Sequence, residues 1–336
     1  MRPLFLLVFL IQSVILSGQS SIDHTAPETP LFYPSKMPVE MATFRVEDTQ
    51  GMTLDWASYK SLRDTRPGRM TWELHFPGLG LVSLELSEFC NLSDDFTIAR
   101  STAEGTREEH YVPSLITYEV TSAAFADGSF EEAQGIVVLF ENFVQASFKV
   151  QGTQWELAPT KRPGNRQERV DDYVLFDVSK STATNTFTCA VEDQEREMTL
   201  LTAQQQRNLV PQCVEIGLDI DNFTYNTFSD CYGAIDWGLG VLAGVDLVYR
   251  TELNDFITLQ ASYVNVWEVP EPWANTVNNA GTMLDQLRIE WTSSNAVLAN
   301  ANWDMIHLMT KRGDTGTGGI AYLGVVCSPT YACGFS

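Results

Sequence analysis

Four histidines and six cysteines carry most of the chemistry open to this chain. His24, His75, His110 and His307 are scattered, and no two stand at the spacing with which a helix turn offers two imidazoles to one metal ion. A cysteine nucleophile needs a base within hydrogen-bond reach. Pairing a cysteine with His307 can be drawn on paper, and nothing in the sequence around His307 supports it. A serine hydrolase would carry a Gly-x-Ser-x-Gly elbow between strand and helix, and the chain has none. The run "GDTGTGG" at 313–319 is as glycine-rich as a phosphate loop, but no Lys-Ser or Lys-Thr follows and no helix is expected next. A strand-to-strand loop explains it.

What the cysteines can do depends on the compartment. The chain opens "MRPLFLLVFLIQSVILSGQSS": Arg2, an apolar run from Leu4 to Leu16 broken at Gln12 and Ser13, then small residues Gly18 and Ser20. This pattern predicts a secretory signal over residues 1–20, too short for a spanning helix. No later run is apolar for long enough to cross a bilayer, so the mature chain is expected to be secreted, extracellular and without a membrane span. Cys90, Cys189, Cys213, Cys231, Cys327 and Cys333 can then form disulfides, whose pairing the sequence leaves open. The sequons at Asn91 and Asn222 fit the same compartment. A net charge of −22, from 43 acidic against 21 basic residues, excludes nucleic acid and anionic membrane as partners and reads as a solvated secreted surface.

The elements that must position any site divide into two stretches. With 336 residues, 44% hydrophobic, the chain can bury two cores. Residues 21–205 read as a β-rich domain, since "WELHFPGLGLVSLEL" and "ASFKVQGTQWEL" alternate apolar residues around glycine turns. A polar connector, "AVEDQEREMTLLTAQQQRNLVPQ", holds the boundary, and residues 206–336 follow as the second domain. There "CVEIGLDID" predicts a strand. Asp230 then caps a helix with Ile235, Leu239, Leu242, Val245 and Tyr249 on one face. "FITLQASYVNVWEV" is a second strand, and Met283, Leu287 and Trp291 mark a second helix. "DMIHLMT" and "GGIAYLGVVC" are the third and fourth strands. This order predicts an α/β (α+β) layer with a mixed, mostly parallel sheet and two long helices.

In that order the strings resemble the N-terminal part of an adamalysin (reprolysin) type metzincin catalytic domain. "VEIGLDID" is similar to the family's first strand, with Glu215 and Asp221 in the places of its Glu and Asp. Tyr249, Arg250 and Trp267 match its helix-to-strand passage. Asp304, Leu308 and Thr310 match its third strand, and Gly319, Ala321, Gly324 and Cys327 match its fourth. The first half resembles the family's propeptide through "VQGTQWELAP". The resemblance implies a secreted zinc metalloendopeptidase precursor acting on peptide or protein substrates. It implies that Gly319, Ile320, Ala321, Tyr322, Leu323 and Gly324 form the rim strand on which extended substrate adds by backbone pairing. Glycine at 318, 319 and 324 suits the close approach of another backbone.

The family holds zinc with His-Glu-x-x-His-x-x-Gly-x-x-His, and this sequence lacks that motif. The zinc helix follows a loop after the fourth strand, and residues 328–336 are expected to be that loop. The chain is therefore expected to be a fragment that stops short of its catalytic and zinc-binding residues, and to be inactive as it stands. The sheet's underside is expected to lack the lower subdomain that would cover it. The resemblance also implies that Cys189 keeps the enzyme latent by ligating zinc, although the family's Cys-Gly step is Cys-Ala here. The competing role for Cys189 is a disulfide to Cys90. It further implies a calcium ion at Glu215 and Asp304, against a plain role as strand-end caps. The connector has single arginines, Arg196 and Arg207, and no dibasic site. The alternative is a non-catalytic secreted binding protein derived from the same scaffold. A carbohydrate or adhesion module would explain the first half but not the helix–strand order of the second.

Overall fold

Alternating apolar runs broken by glycine dictate hairpins, and the first half is built from them. The computed structural model describes residues 30–36, 49–161, 168–180, 189–192, 211–322, 324–326, 328 and 330–336. The expected signal segment, His24, Leu323, Cys327 and most of the connector lie outside the described residues. β1 (Phe32–Ser35), β2 (Thr49–Leu54) and α1 (Trp56–Thr65) lead into β3 (Arg69–Phe76) and β4 (Gly80–Phe89). Then come β5 (Leu92–Thr102), β6 (Gly105–Glu109), β7 (Ile116–Phe125), β8 (Phe130–Leu139), β9 (Val144–Val150), β10 (Thr153–Pro159) and β11 (Asp172–Asp177). Nine of these eleven strands make one antiparallel sheet, ordered β1-β2-β11-β10-β9-β8-β7-β4-β3. The expected β9–β10 hairpin turns through Gln151 and Gly152, with φ of 48° and 72°, the double left-handed geometry that matches strand twist. Its core packs Trp72, Tyr118, Phe148 and Leu175 under Tyr59 and Leu62 of α1.

The first half closes with β12 (Cys189–Glu192), and the second runs β13 (Gln212–Ile220), α2 (Asn222–Tyr225), α3 (Cys231–Glu252), β14 (Ile257–Trp267) and α4 (Ala280–Ile289). It ends with β15 (Met305–Met309), β16 (Gly319–Tyr322) and β17 (Cys333–Phe335). The sheet order is β12-β16-β17-β15-β13-β14-β5-β6, parallel throughout except at β16–β17 and β5–β6. The mixed α/β layer is therefore as expected. Three of its strands, β5, β6 and β12, come from the first half: β5 runs parallel to β14, with Thr97–Ser101 opposite Tyr263–Trp267. The expected boundary at 205 divides the chain but not the sheets, because such a long-range pairing leaves no mark in local periodicity.

Three further differences have physical causes. Residues 333–335, expected in a loop, form β17 between β15 and β16. A strand that short carries no period to detect. The second helix is only 10 residues, although Met283, Leu287 and Trp291 are all buried as predicted. In α3, Asp230 caps as predicted, its Oδ1 accepting the Gly233 N–H at 2.8 Å, and Ile235, Leu239 and Leu242 are buried. Val245 and Tyr249, expected on that face, are exposed. Asp246 turns inward instead, and its Oδ1 accepts the Leu259 N–H at 2.6 Å. Among the described residues α3 is the one helix long and apolar enough to cross a membrane, and most of it is buried as a core helix is.

Both faces of the second sheet are covered. Ile216, Leu218 and Val264 pack under α3, while Ile306, Leu308, Ile320 and Phe335 pack with α4 and Trp291 at 5% exposure or less. The uncovered underside expected from the sequence is not found, because α4 and the residues around it close it. Gly217 sits at a register shift in β13, where an added Cβ would meet the buried Trp291 ring at 2.8 Å. Gly217→Ala should therefore destabilise the fold by about 1–3 kcal/mol in urea unfolding. An unchanged midpoint would show that Trp291 can yield.

Candidate functional site

The residues proposed to receive substrate lie on β16, and both edges of that strand are paired. On one side β17 runs antiparallel, with Ile320 opposite Phe335 and Ala321 opposite Gly334. On the other, β12 runs parallel, with Cys189 opposite Gly319 and Glu192 opposite Tyr322. The glycine is needed for an internal approach: a Cβ on Gly319 would lie 2.7 Å from the Phe335 carbonyl oxygen. Gly324, at φ 65°, makes a left-handed turn after the strand. Ile320 and Tyr322 point into the core, and the Tyr322 hydroxyl donates to Asp285 at 2.8 Å, while Ala321 is exposed. Leu323 lies outside the described residues. The expected rim strand exists, but β12, which carries Cys189, occupies its outer edge.

No zinc site is assembled from what is described. Among the described residues no group of three His, Cys, Asp or Glu side chains is placed to hold a metal ion. His307 is half-buried in β15, and its Nε2 lies 2.8 Å from the Ser336 hydroxyl. Desolvation pushes its pKa down to about 4, so the ring is neutral at pH 7. The described thiols are free: Cys90 and Cys213 are exposed, Cys231 and Cys333 buried. The Cys90–Cys189 disulfide is therefore not formed. Burial raises the Cys231 thiol to about 11 and the Cys333 thiol to about 12, which leaves both unreactive. Asn91 is buried at 5% exposure, so that sequon does not present its amide at the surface.

The two residues expected to bind calcium, Glu215 and Asp304, are neighbours through the Glu215 backbone. The Asp304 Oδ2 accepts the Glu215 N–H at 3.0 Å, and the Asp304 N–H donates to the Glu215 carbonyl at 2.7 Å. Parallel pairing of β13 with β15 puts these strand starts side by side. A third carboxylate, Asp95, arrives from β5. The Asn302 amide bridges the group, 2.7 Å from Glu215 Oε2 and 3.4 Å from Asp95 Oδ2. Desolvation, then Asp95, then Asp304 raise the Glu215 pKa. No signal in the sequence pointed to Asp95, because it reaches Glu215 only through the β5–β14 pairing.

Two buried polar networks hold the carboxyl ends of the strands. Asp221 caps α2 through the Thr224 N–H at 2.8 Å and also accepts from Thr310 (2.6 Å) and Arg312 (3.0 Å). Arg312 reaches on to Glu271 at 3.2 Å. Asp219, fully buried next to the last residue of β13, accepts from Trp291 Nε1 at 2.6 Å and from Asn265 Nδ2 at 3.1 Å. Asn265 in turn accepts from Ser101 of β5 at 3.0 Å. Desolvation pushes Asp219 up to about 8, against hydrogen bonds that lower it. The pattern "CVEIGLDID" does not single out Asp219, which is buried because a parallel sheet covered on both sides buries both faces of its strands.

Residues 240–336, from the middle of α3 through β17, match the family "Metallo-peptidase family M12B Reprolysin-like". The ordered strings over β13 to β16 carry the same resemblance to the reprolysin-like metzincins. No curated protein matches the chain. Among solved structures, metalloproteinase-II from Bacteroides fragilis is similar at a TM-score of 0.44 and 10% identity, over 80% of this chain and 74% of that one. A likeness that loose says nothing further about this chain.

Two expectations follow from Glu215 and Asp219. Glu215→Gln removes a charge facing Asp95 and Asp304 and should raise Tm by roughly 1–3 °C at pH 7 without calcium. A fall in Tm confined to calcium-containing buffer would instead show that an ion bridges the group. Asp219 ordinarily titrates at 3.8, and in the fold it holds its proton up to about pH 8. Its contribution to stability is whole below the lower value and is lost as pH rises towards the higher one. Asp219→Asn should flatten the fall in unfolding free energy between pH 5 and 8, measured in urea. Equal slopes would mean that Asp219 is already ionised in the fold.

Proposed function

We propose that this chain is the N-terminal part of a secreted zinc-dependent metalloendopeptidase precursor, synthesised with a signal segment over residues 1–20. The observation that carries this is the match of residues 240–336 to the M12B reprolysin-like family. The four strings in family order support it. In this reading peptide or protein substrates add to β16, and zinc chemistry belongs to residues this chain does not contain. The residues described here do not fit zinc, so they bind and position rather than cleave.

The first half acts as a latency segment by occupying β16. The parallel pairing of Cys189–Glu192 with Gly319–Tyr322 supports this, since the edge open to a substrate strand is the one β12 holds. A second reading, a non-catalytic secreted binding protein on the same scaffold, is favoured by one observation. The chain's own residues cover both faces of the second sheet, which needs no lower subdomain to bury them.

The deciding experiment is to read the coding sequence past the codon for Ser336 and assay the product. A His-Glu-x-x-His-x-x-Gly-x-x-His motif, and peptide hydrolysis abolished by a zinc chelator, is the expected result. A stop codon at that point and no hydrolysis would leave the binding protein. Latency has its own check, because proline removes ladder donors. Ala190→Pro with Val191→Pro should increase binding of an extended peptide about tenfold by fluorescence anisotropy. Unchanged binding would mean that β12 does not guard the strand.

A further inference from the structure

We infer that the first half of this chain stays bound to the second half when the connector between them is cut. The reason is the β5–β6 hairpin, which is continuous with the first half in sequence and belongs to the second half in packing. The large core of the nine-stranded sheet contains no residue from 92 to 109. The two faces of β5 are divided between the two cores of the other sheet. Ile98, fully buried, packs with Ile235 and Val264 under α3, and Ala99, also fully buried, packs with Trp267 and Trp291 on the opposite side.

The polar contacts repeat this division. Ser101, at 1% exposure, donates to Asn265 and so joins the chain that ends on Asp219. Arg100 pairs with Glu268 just beyond the end of β14 at 2.5 Å and with Glu109 of β6 at 3.3 Å, and Glu109 also accepts from Tyr232 of α3. Just after the hairpin, Tyr111 and Ser114 donate to Asp236 of α3 at 2.9 and 2.5 Å. Farther along, Glu119 of β7 pairs with Arg250 at 3.2 Å. Withdrawing the hairpin would strip two strands from the sheet, expose the hydrogen-bonding edge of β14, and leave Asn265 without its Ser101 donor. The β12 strand is a separate and much shorter attachment that could open while the hairpin stays in place. This inference concerns association alone and does not rest on the peptidase reading.

The test uses the full chain with a recognition sequence for a site-specific protease inserted within residues 193–210. A second version carries another such sequence within 181–188, so that the double cut also separates β12 from the first half. After cleavage, both proteins are run on a sizing column at about 1 µM. Co-elution of the fragments as one species in both cases is expected. A separate first-half peak from the doubly cut protein in native buffer would overturn the inference. Arg100→Ala keeps the buried faces of β5 and should weaken the cut complex by about tenfold, read as earlier separation in a urea series. A complex as tight as that of the unchanged chain would place the hold elsewhere and overturn the role given to the hairpin.

Discussion

Strand β14 is hydrogen-bonded on one side to β13 and on the other to β5, and the rest of the second sheet depends on those two ladders. An internal parallel strand must satisfy both backbone edges and bury both faces. The first requirement draws β5 across from the other half of the chain. The second draws α3 onto one face and α4 with Trp291 onto the other. Asn265, near the carboxyl end of β14, links the two ladders in side-chain terms, donating to Asp219 of β13 and accepting from Ser101 of β5.

This arrangement explains why carboxylates gather at strand ends. Parallel strands begin together and end together, so residues far apart in sequence meet at the same level. Glu215, Asp304 and Asp95 meet at one end, and Asp221 and Glu271 meet around Arg312 at the other. The second group contains its own cation and is a closed brace. The first has only an amide between its carboxylates, and desolvation first, then the Asp95 and Asp304 charges, raise the Glu215 pKa.

The place of the first half follows from the same constraint. It is attached at two points with different physical character. The β5–β6 hairpin forms one margin of the sheet and buries both faces of β5 in its cores, whereas β12 is a four-residue strand at the opposite margin, beside β16. The hairpin cannot leave without exposing Ile98, Ala99 and the paired edge of β14.

Much of this was legible in residue order. Period-two alternation around Gln151 and Gly152 was enough for a hairpin, Asp230 was enough for a helix start, and the spacing of Met283, Leu287 and Trp291 was enough for a buried helical stripe. These are local rules, and local dihedral and burial preferences enforce them. The resemblance to the reprolysin-like metzincins was equally legible, since it lay in short strings on consecutive elements. What only the tertiary structure decided was everything that joins distant segments: β5 beside β14, β17 between β15 and β16, β12 on the edge of β16, and Asp95 next to Glu215. Periodicity tells a strand which face is apolar and leaves open which neighbour takes its edge. That choice is made when backbone donors and acceptors far apart in the chain have to find partners at once.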